Sequence, residues 1–292
     1  MGEKDITEKL LEDYNDVFSD IVNVLLFDGR EVVKESSLSV SATRSQYKAD
    51  DRRVHEQERD VSKWWMKRNV QIALYGIENQ TGEDDLMPLR VISYDGSSYK
   101  RQIALNKPDV PVITLVLYYG EDHWTKPLNL KSYLKIPEEL DPYVSDYYIN
   151  VFEISWLSDE QVKMFKSDFR FVADFFVGKR KNPDYMPTDK SEIRHVDEVL
   201  KLLSAFTHDR MYEELITEKG TKREVRNMCE VAERLVNKGR EEGIEQGIEQ
   251  GRAEGQSALA DAIIKIHSGA TVEDLIKGGV DEKTAKLAWT CR

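Results

Sequence analysis

Asp60, Glu78 and Gln80 are the residues whose types and spacing could do chemistry in this chain of 292 residues. Glu78-Asn79-Gln80 closes an apolar run, Val70 to Ile77, that reads as a buried strand because it is short and bounded by turn residues. Thr81-Gly82-Glu83-Asp84 is a turn. Helical spacing follows it, with Leu86, Leu89, Val91, Ile92, Tyr99 and Ile103 as expected inner positions. An acid at the mouth of a buried strand that leads into a helix stands where an α/β sheet usually carries its chemistry. Upstream, Glu58 to Trp65 is expected to form the preceding strand, with a turn near Lys67-Arg68-Asn69, so that a hairpin carries Asp60 across to Glu78. Two neighbouring carboxylates repel unless a cation lies between them. A hard divalent ion with oxygen ligands, Mg²⁺ or Mn²⁺, suits the pair and would activate water and polarise a phosphoryl oxygen. The competing reading of Glu78 is a solvated residue at a sheet edge.

The stretch around these residues carries a resemblance. Arg59-Asp60-Val61-Ser62-Lys63, Tyr75-Gly76-Ile77-Glu78-Asn79-Gln80-Thr81, Met87-Pro88-Leu89-Arg90 and Tyr94-Asp95 resemble the PD-(D/E)XK nuclease superfamily. Within it the chain is similar to the recombination-promoting nuclease/putative transposase family, in which Glu-x-Gln replaces Glu-x-Lys. The likeness extends over Phe18 to Asn23, Leu26 to Gly29, Val112 to Trp124 and the glycine repeat after Lys238.

The resemblance implies a restriction-endonuclease-like α-β-β-β-α-β core with a mostly helical C-terminal half. It also implies a metal-dependent DNA endonuclease whose Asp60 and Glu78 hold Mg²⁺ or Mn²⁺. Gln80 would orient the water by hydrogen bonds, without the charge a lysine would bring. Asp20 would be an acid lent by the first helix, against the plainer reading of a solvated helix face. Arg59, Lys63 and Arg90 would contact DNA phosphates. The alternative is a nuclease fold without turnover, serving as a DNA-binding or protein-interaction module.

The elements that must position these residues follow from periodicity. Residues 5 to 27 read as one helix with Leu10, Tyr14, Val17, Phe18, Ile21, Val22, Leu25 and Leu26 on its apolar face. Val110 to Leu117 is a second strongly apolar strand. The order strand, helix, strand makes it a parallel neighbour of the Glu78 strand. A further strand is expected at Tyr147 to Ile154, then helices over 159–176, 192–206, 210–215 and 223–236. The domain reading is a nuclease core over 1–130, a helical extension over 131–237, a glycine-repeat helix or linker over 238–256, and a small helical module over 257–292.

Charge and cysteine content narrow the partners. Asp and Glu number 54 against 42 Lys and Arg, so DNA would be met by a local basic patch rather than by bulk charge. Such a patch is offered by Arg44, Lys48, Arg52, Arg53, Arg59, Lys63, Lys67 and Arg68. Cys229 and Cys291 have no metal-site spacing and suit a reducing compartment. No run approaches the length of a membrane span and the N-terminus does not read as a secretory signal, so a cytoplasmic protein is expected. Glycines 239, 243, 247, 251 and 255 recur every fourth residue. Each weakens a lone helix, so the repeat is expected to pair chains into a homodimer or higher homo-oligomer.

Overall fold

A computed structural model describes residues 10–41, 44–48, 54–58, 60–68, 70–106, 109–217 and 225–291. Two compact units divide it, Met1–Ala232 and Glu233–Arg292.

The first unit is built on a five-stranded sheet in the order β1-β4-β5-β6-β7. Its strands are β1 (Leu38–Val40), β4 (Val61–Lys67), β5 (Val70–Gln80), β6 (Val112–Tyr118) and β7 (Asn150–Glu153). A separate hairpin, β2 (Arg44–Lys48) with β3 (Val54–Glu58), is inserted between β1 and β4. Strands β4 and β5 pair antiparallel from Val61↔Ile77 to Lys67↔Val70, the hairpin expected from sequence, and Arg68 turns it with φ 48°. Strands β5 and β6 pair parallel, Leu74↔Val112 through Gln80↔Tyr118, and β7 continues in parallel on β6. β5 is therefore the central strand, and its carboxyl end lies beside the carboxyl ends of β6 and β7. The strand does not stop at Ile77. Glu78, Asn79 and Gln80 stay in the ladder because β6 supplies backbone partners up to Tyr118.

Helix α1 (Asn15–Phe27) starts later than periodicity suggests. A short 3-10 turn, Leu11–Asp13, precedes it, and Tyr14 between them is extended, with ψ 133°. Asn23 ends the segment. Its amide side chain accepts from Val32 and Val33 N–H and donates to the Val33 carbonyl, fixing the left-handed turn at Asp28 and Gly29.

Helix α2 (Met87–Ala104) crosses from β5 to β6. Its buried face differs from the expected one. Leu86, Leu89, Tyr99 and Ile103 are exposed, while Met87, Val91, Tyr94, Asp95 and Gln102 are buried. Met87 and Val91 pack on Val116 and Ile149. Two polar residues face inward because both find partners there. Asp95 accepts from Thr114 Oγ1 (2.6 Å) and from the Tyr147 hydroxyl. Gln102 exchanges hydrogen bonds with both backbone groups of Val110. Apolar periodicity cannot register that face, because part of it is held by hydrogen bonds.

The remaining helices of this unit are α3 (Leu130–Tyr133), α4 (Asp159–Met164), α5 (Phe169–Lys181), α6 (Val196–Thr207) and α7 (Met211–Thr217). The single helix expected over 159–176 is two, and Val162, Phe165, Phe169, Val172 and Phe176 are all buried. The break comes where Lys166 and Ser167 N–H donate to Asp20 Oδ2 on α1, each at 2.7 Å.

Helix α8 (Met228–His267) begins at the end of this unit, and the second unit closes with α9 (Val272–Lys277) and α10 (Glu282–Thr290). Thr271 and Asp281 cap α9 and α10 as their positions suggest. Ala262, Ile266, Leu275, Ala285 and Ala288 form its core. Among the described residues no helix is long and apolar enough to cross a membrane.

Candidate functional site

The β4–β5 ladder begins at Val61↔Ile77, so Asp60 lies one residue before it, near the end of β5. Asp60 Oδ2 accepts the Asn79 backbone N–H at 2.7 Å, so the loop before β4 is tied to the end of β5. Side chains alternate along a strand, so Glu78 and Gln80 share one face and Asn79 points to the other.

On the first face, Glu78 is 3% exposed. Its Oε1 accepts from Arg90 Nη2 on α2 and from Gln80 Nε2 at 3.3 Å. Arg90 also donates to Asp84 Oδ2 (2.9 Å) and to the Tyr94 hydroxyl (3.4 Å). Burial opposes the charge of Arg90, but Tyr94, Asp84 and Glu78 outweigh it and hold the guanidinium more firmly protonated than usual. Burial first, then the negative charges of Glu78 and Asp60, raise the pKa of Tyr94. Arg90 and Tyr94 reach Glu78 because Asp95 and Gln102 pin α2 to the sheet.

On the second face, Glu12 from the 3-10 turn is fully buried, and neither carboxylate oxygen has a hydrogen-bond partner among the described residues. Its pKa is raised to about 7. Burial is the main cause and the charge of Asp60 adds to it. The polar neighbours that favour ionisation, its own backbone N–H and Asn79, make no hydrogen bond of good geometry with it. The Tyr119 hydroxyl donates to Asn79 Oδ1 at 3.2 Å. Burial, then Glu12 and Asp60, raise the Tyr119 pKa well above normal. Asp60 is thus felt from both faces, by Tyr94 on one and by Glu12 and Tyr119 on the other. A cleft of about 510 Å³ opens here, lined by Glu12, Asp60, Asn79, Lys201, Leu202 and Phe206 among others.

Hydrogen bonds join Glu78, Gln80 and Arg90, and Asp60 is held by the Asn79 backbone between Glu78 and Gln80. The structure does not bring Asp20 to them, since that carboxylate accepts the two N–H groups that open the α4–α5 connection. The acid from the α1 end that lies near Asp60 is Glu12. No periodicity marks it, because the extended Tyr14 takes it out of the helical register.

Lys63 is corrected as well. It is 2% exposed, its Nζ donates to the Asp13 carbonyl (2.6 Å) and Asn15 Oδ1 (2.7 Å), and it lies over the Phe18 ring. A lysine so placed positions the turn that carries Glu12 and cannot reach a phosphate. Lys63→Met is expected to cost about 2–3 kcal/mol, because buried acceptors lose a charged donor. Urea unfolding measures this, and an unchanged midpoint would mean that the two bonds contribute nothing. Arg59, Arg52, Arg53 and the side chains of Arg44 and Lys48 lie outside the described residues. Among the described residues no group of three or more His, Cys, Asp or Glu side chains is arranged to hold a metal ion.

The fold and this cluster define a mixed α/β protein with acids and an amide at the carboxyl end of its central strand. Residues 66–178 match the family described as "Putative transposase, YhgA-like", in agreement with the resemblance carried by the Glu78 string. The matched span contains Glu78, Gln80 and Arg90 and begins after Asp60. No curated protein and no solved structure matches the chain.

Proposed function

We propose that the chain is a metal-dependent DNA endonuclease of the PD-(D/E)XK class. The observation that carries this is the hydrogen bond from the Asn79 backbone N–H to Asp60 Oδ2, which ties Asp60 to the end of the central strand next to Glu78. The element order supports a restriction-endonuclease-like core: α1, β1, β4, β5, α2 and β6 follow the α-β-β-β-α-β sequence, with the β2–β3 hairpin as an insertion. The matched transposase-like family supports DNA as the substrate.

The donors suit a hard cation. Mg²⁺ is commonly held by one or two carboxylates together with substrate phosphates and waters. Asp60 and Glu78 offer such a pair at the end of the central strand, while Glu12 lies near Asp60 on the other face. The bound ion would supply an activated water and offset the charge that develops on the phosphate. Gln80 orients that water through its amide, while Glu78 Oε1 holds the amide in place. Arg90, 36% exposed, meets a phosphate at the rim. Tyr94 and Tyr119 stay protonated, so each can donate a hydrogen bond. Purified protein should nick or cut plasmid DNA with Mg²⁺ or Mn²⁺ and lose all activity in EDTA. Equal cleavage in EDTA would remove the metal from the mechanism.

A second reading, a nuclease fold without turnover, is favoured by the Arg90 pair with Glu78, which already supplies that carboxylate with a cation. Calorimetry with Mn²⁺ separates the two. The enzyme binds the ion and Asp60→Ala weakens binding, whereas a module without turnover binds none.

A further inference from the structure

Arg90 is shared between two carboxylates. Its Nη2 donates to Glu78 Oε1 and its Nη1 to Asp84 Oδ2, the latter at 2.9 Å. The two acids differ in setting. Glu78 is 3% exposed at the end of β5, whereas Asp84 stands in the turn before α2 and is 26% exposed. Asp84 is also held by the backbone, because its Oδ1 accepts the Leu86 N–H at 2.8 Å. It is therefore a fixed berth for the guanidinium that does not depend on Glu78. The helix that carries Arg90 is fixed independently as well, by the Asp95 bonds to Thr114 and Tyr147 and the Gln102 bonds to Val110. Rotation of the Arg90 side chain alone can therefore break its contact with Glu78.

We infer that Arg90 is a latch on the site: its guanidinium occupies Glu78 Oε1 until a divalent cation takes that oxygen, and then rests on Asp84. The inference rests on the reading of Glu78 as a metal ligand. Two cations at one buried carboxylate oxygen repel strongly, so the ion and the guanidinium compete for it. A buried carboxylate left without any cation is costly, so Arg90 holds Glu78 charged and inside before an ion arrives. The ion therefore binds only the fraction of molecules in which Arg90 has left Glu78, and its apparent affinity falls by that fraction. The displaced Nη2 is then available for the phosphate contact proposed above. Metal and DNA each draw on the same open state, so binding of one favours binding of the other.

Calorimetric titration of the full chain with Mn²⁺, without DNA, tests the latch. Arg90→Met should bind Mn²⁺ about tenfold or more tightly than the wild type, since no side chain then competes for Glu78. Asp84→Asn removes the charge of the second berth. It should weaken Mn²⁺ binding several-fold in the wild type, because the guanidinium then has only Glu78 to hold. In the Arg90→Met background the same substitution should have little effect, and this non-additivity separates a latch from the general loss of a charge. Thermal unfolding gives a second readout. Arg90→Met should lower the melting temperature by roughly 5 °C in EDTA, because Glu78 loses its cation, and saturating Mn²⁺ should narrow the gap. Equal or weaker binding by Arg90→Met, while the wild type binds the ion, overturns the latch and leaves the nuclease reading standing. Additive effects of the two substitutions overturn it too, as does a stability gap that Mn²⁺ leaves unchanged. If neither the wild type nor Arg90→Met binds Mn²⁺, the reading of Glu78 as a metal ligand falls and the latch falls with it.

Discussion

Glu78→Gln is expected to lower metal-dependent DNA cleavage by at least about a hundredfold while leaving the protein folded. The substitution keeps the shape of the side chain and an acceptor for Arg90, and removes only the charge. Arg90 retains Asp84 at 2.9 Å and the Tyr94 hydroxyl, so α2 stays anchored, and Asp95 and Gln102 hold it independently. The fold should therefore survive a change that deprives a cation of a principal ligand. Cleavage and thermal unfolding measured on the same preparation separate the two effects. If Glu78→Gln cuts DNA at the wild-type rate, the acid takes no part in the chemistry and the site lies elsewhere. If it loses activity only by unfolding, Glu78 is a structural partner of Arg90.

The second large effect is on stability. The Glu12 carboxyl has a pKa of about 7 in the folded protein against an ordinary 4.5, chiefly because it is buried, with Asp60 adding repulsion and its own backbone N–H opposing. Between those two values the folded state keeps a proton that the unfolded chain has released. Stability should therefore be highest below about pH 4.5 as far as this group is concerned, and fall as pH rises towards 7, by on the order of 3 kcal/mol. Glu12→Gln cannot ionise and should remove that slope. In urea unfolding with EDTA present, the variant should match the wild type near pH 5 and exceed it by about 2–3 kcal/mol near pH 8. A wild-type pH dependence that survives the substitution would mean that Glu12 does not carry the raised pKa.

What could be read from the residues in order was local. The apolar run before Glu78, the hairpin that returns Asp60 to it, the parallel pairing with the strand at Val112, and the caps at Thr271 and Asp281 all follow from spacing and turn chemistry. These depend on neighbours a few residues away, or on a handedness rule that leaves one solution. Other features depend on groups distant in the chain. The inward face of α2 escaped because Asp95 and Gln102 are buried by hydrogen bonds to Thr114, Tyr147 and Val110, which hydropathy cannot weigh. Lys63 reads as a surface cation, yet a carbonyl and an amide some fifty residues upstream receive its ammonium and draw it inside. Asp20 looks like the acid of the first helix, but the chain returns at Lys166 and Ser167 to use it as a backbone acceptor. Glu12 could be assigned only after folding, because its burial beside Asp60 depends on an extended residue at Tyr14 and a lysine on another strand. Residue types and spacing determined which groups could do chemistry. Tertiary contacts decided which of them are desolvated, and desolvation is the main cause of the raised pKa of Glu12.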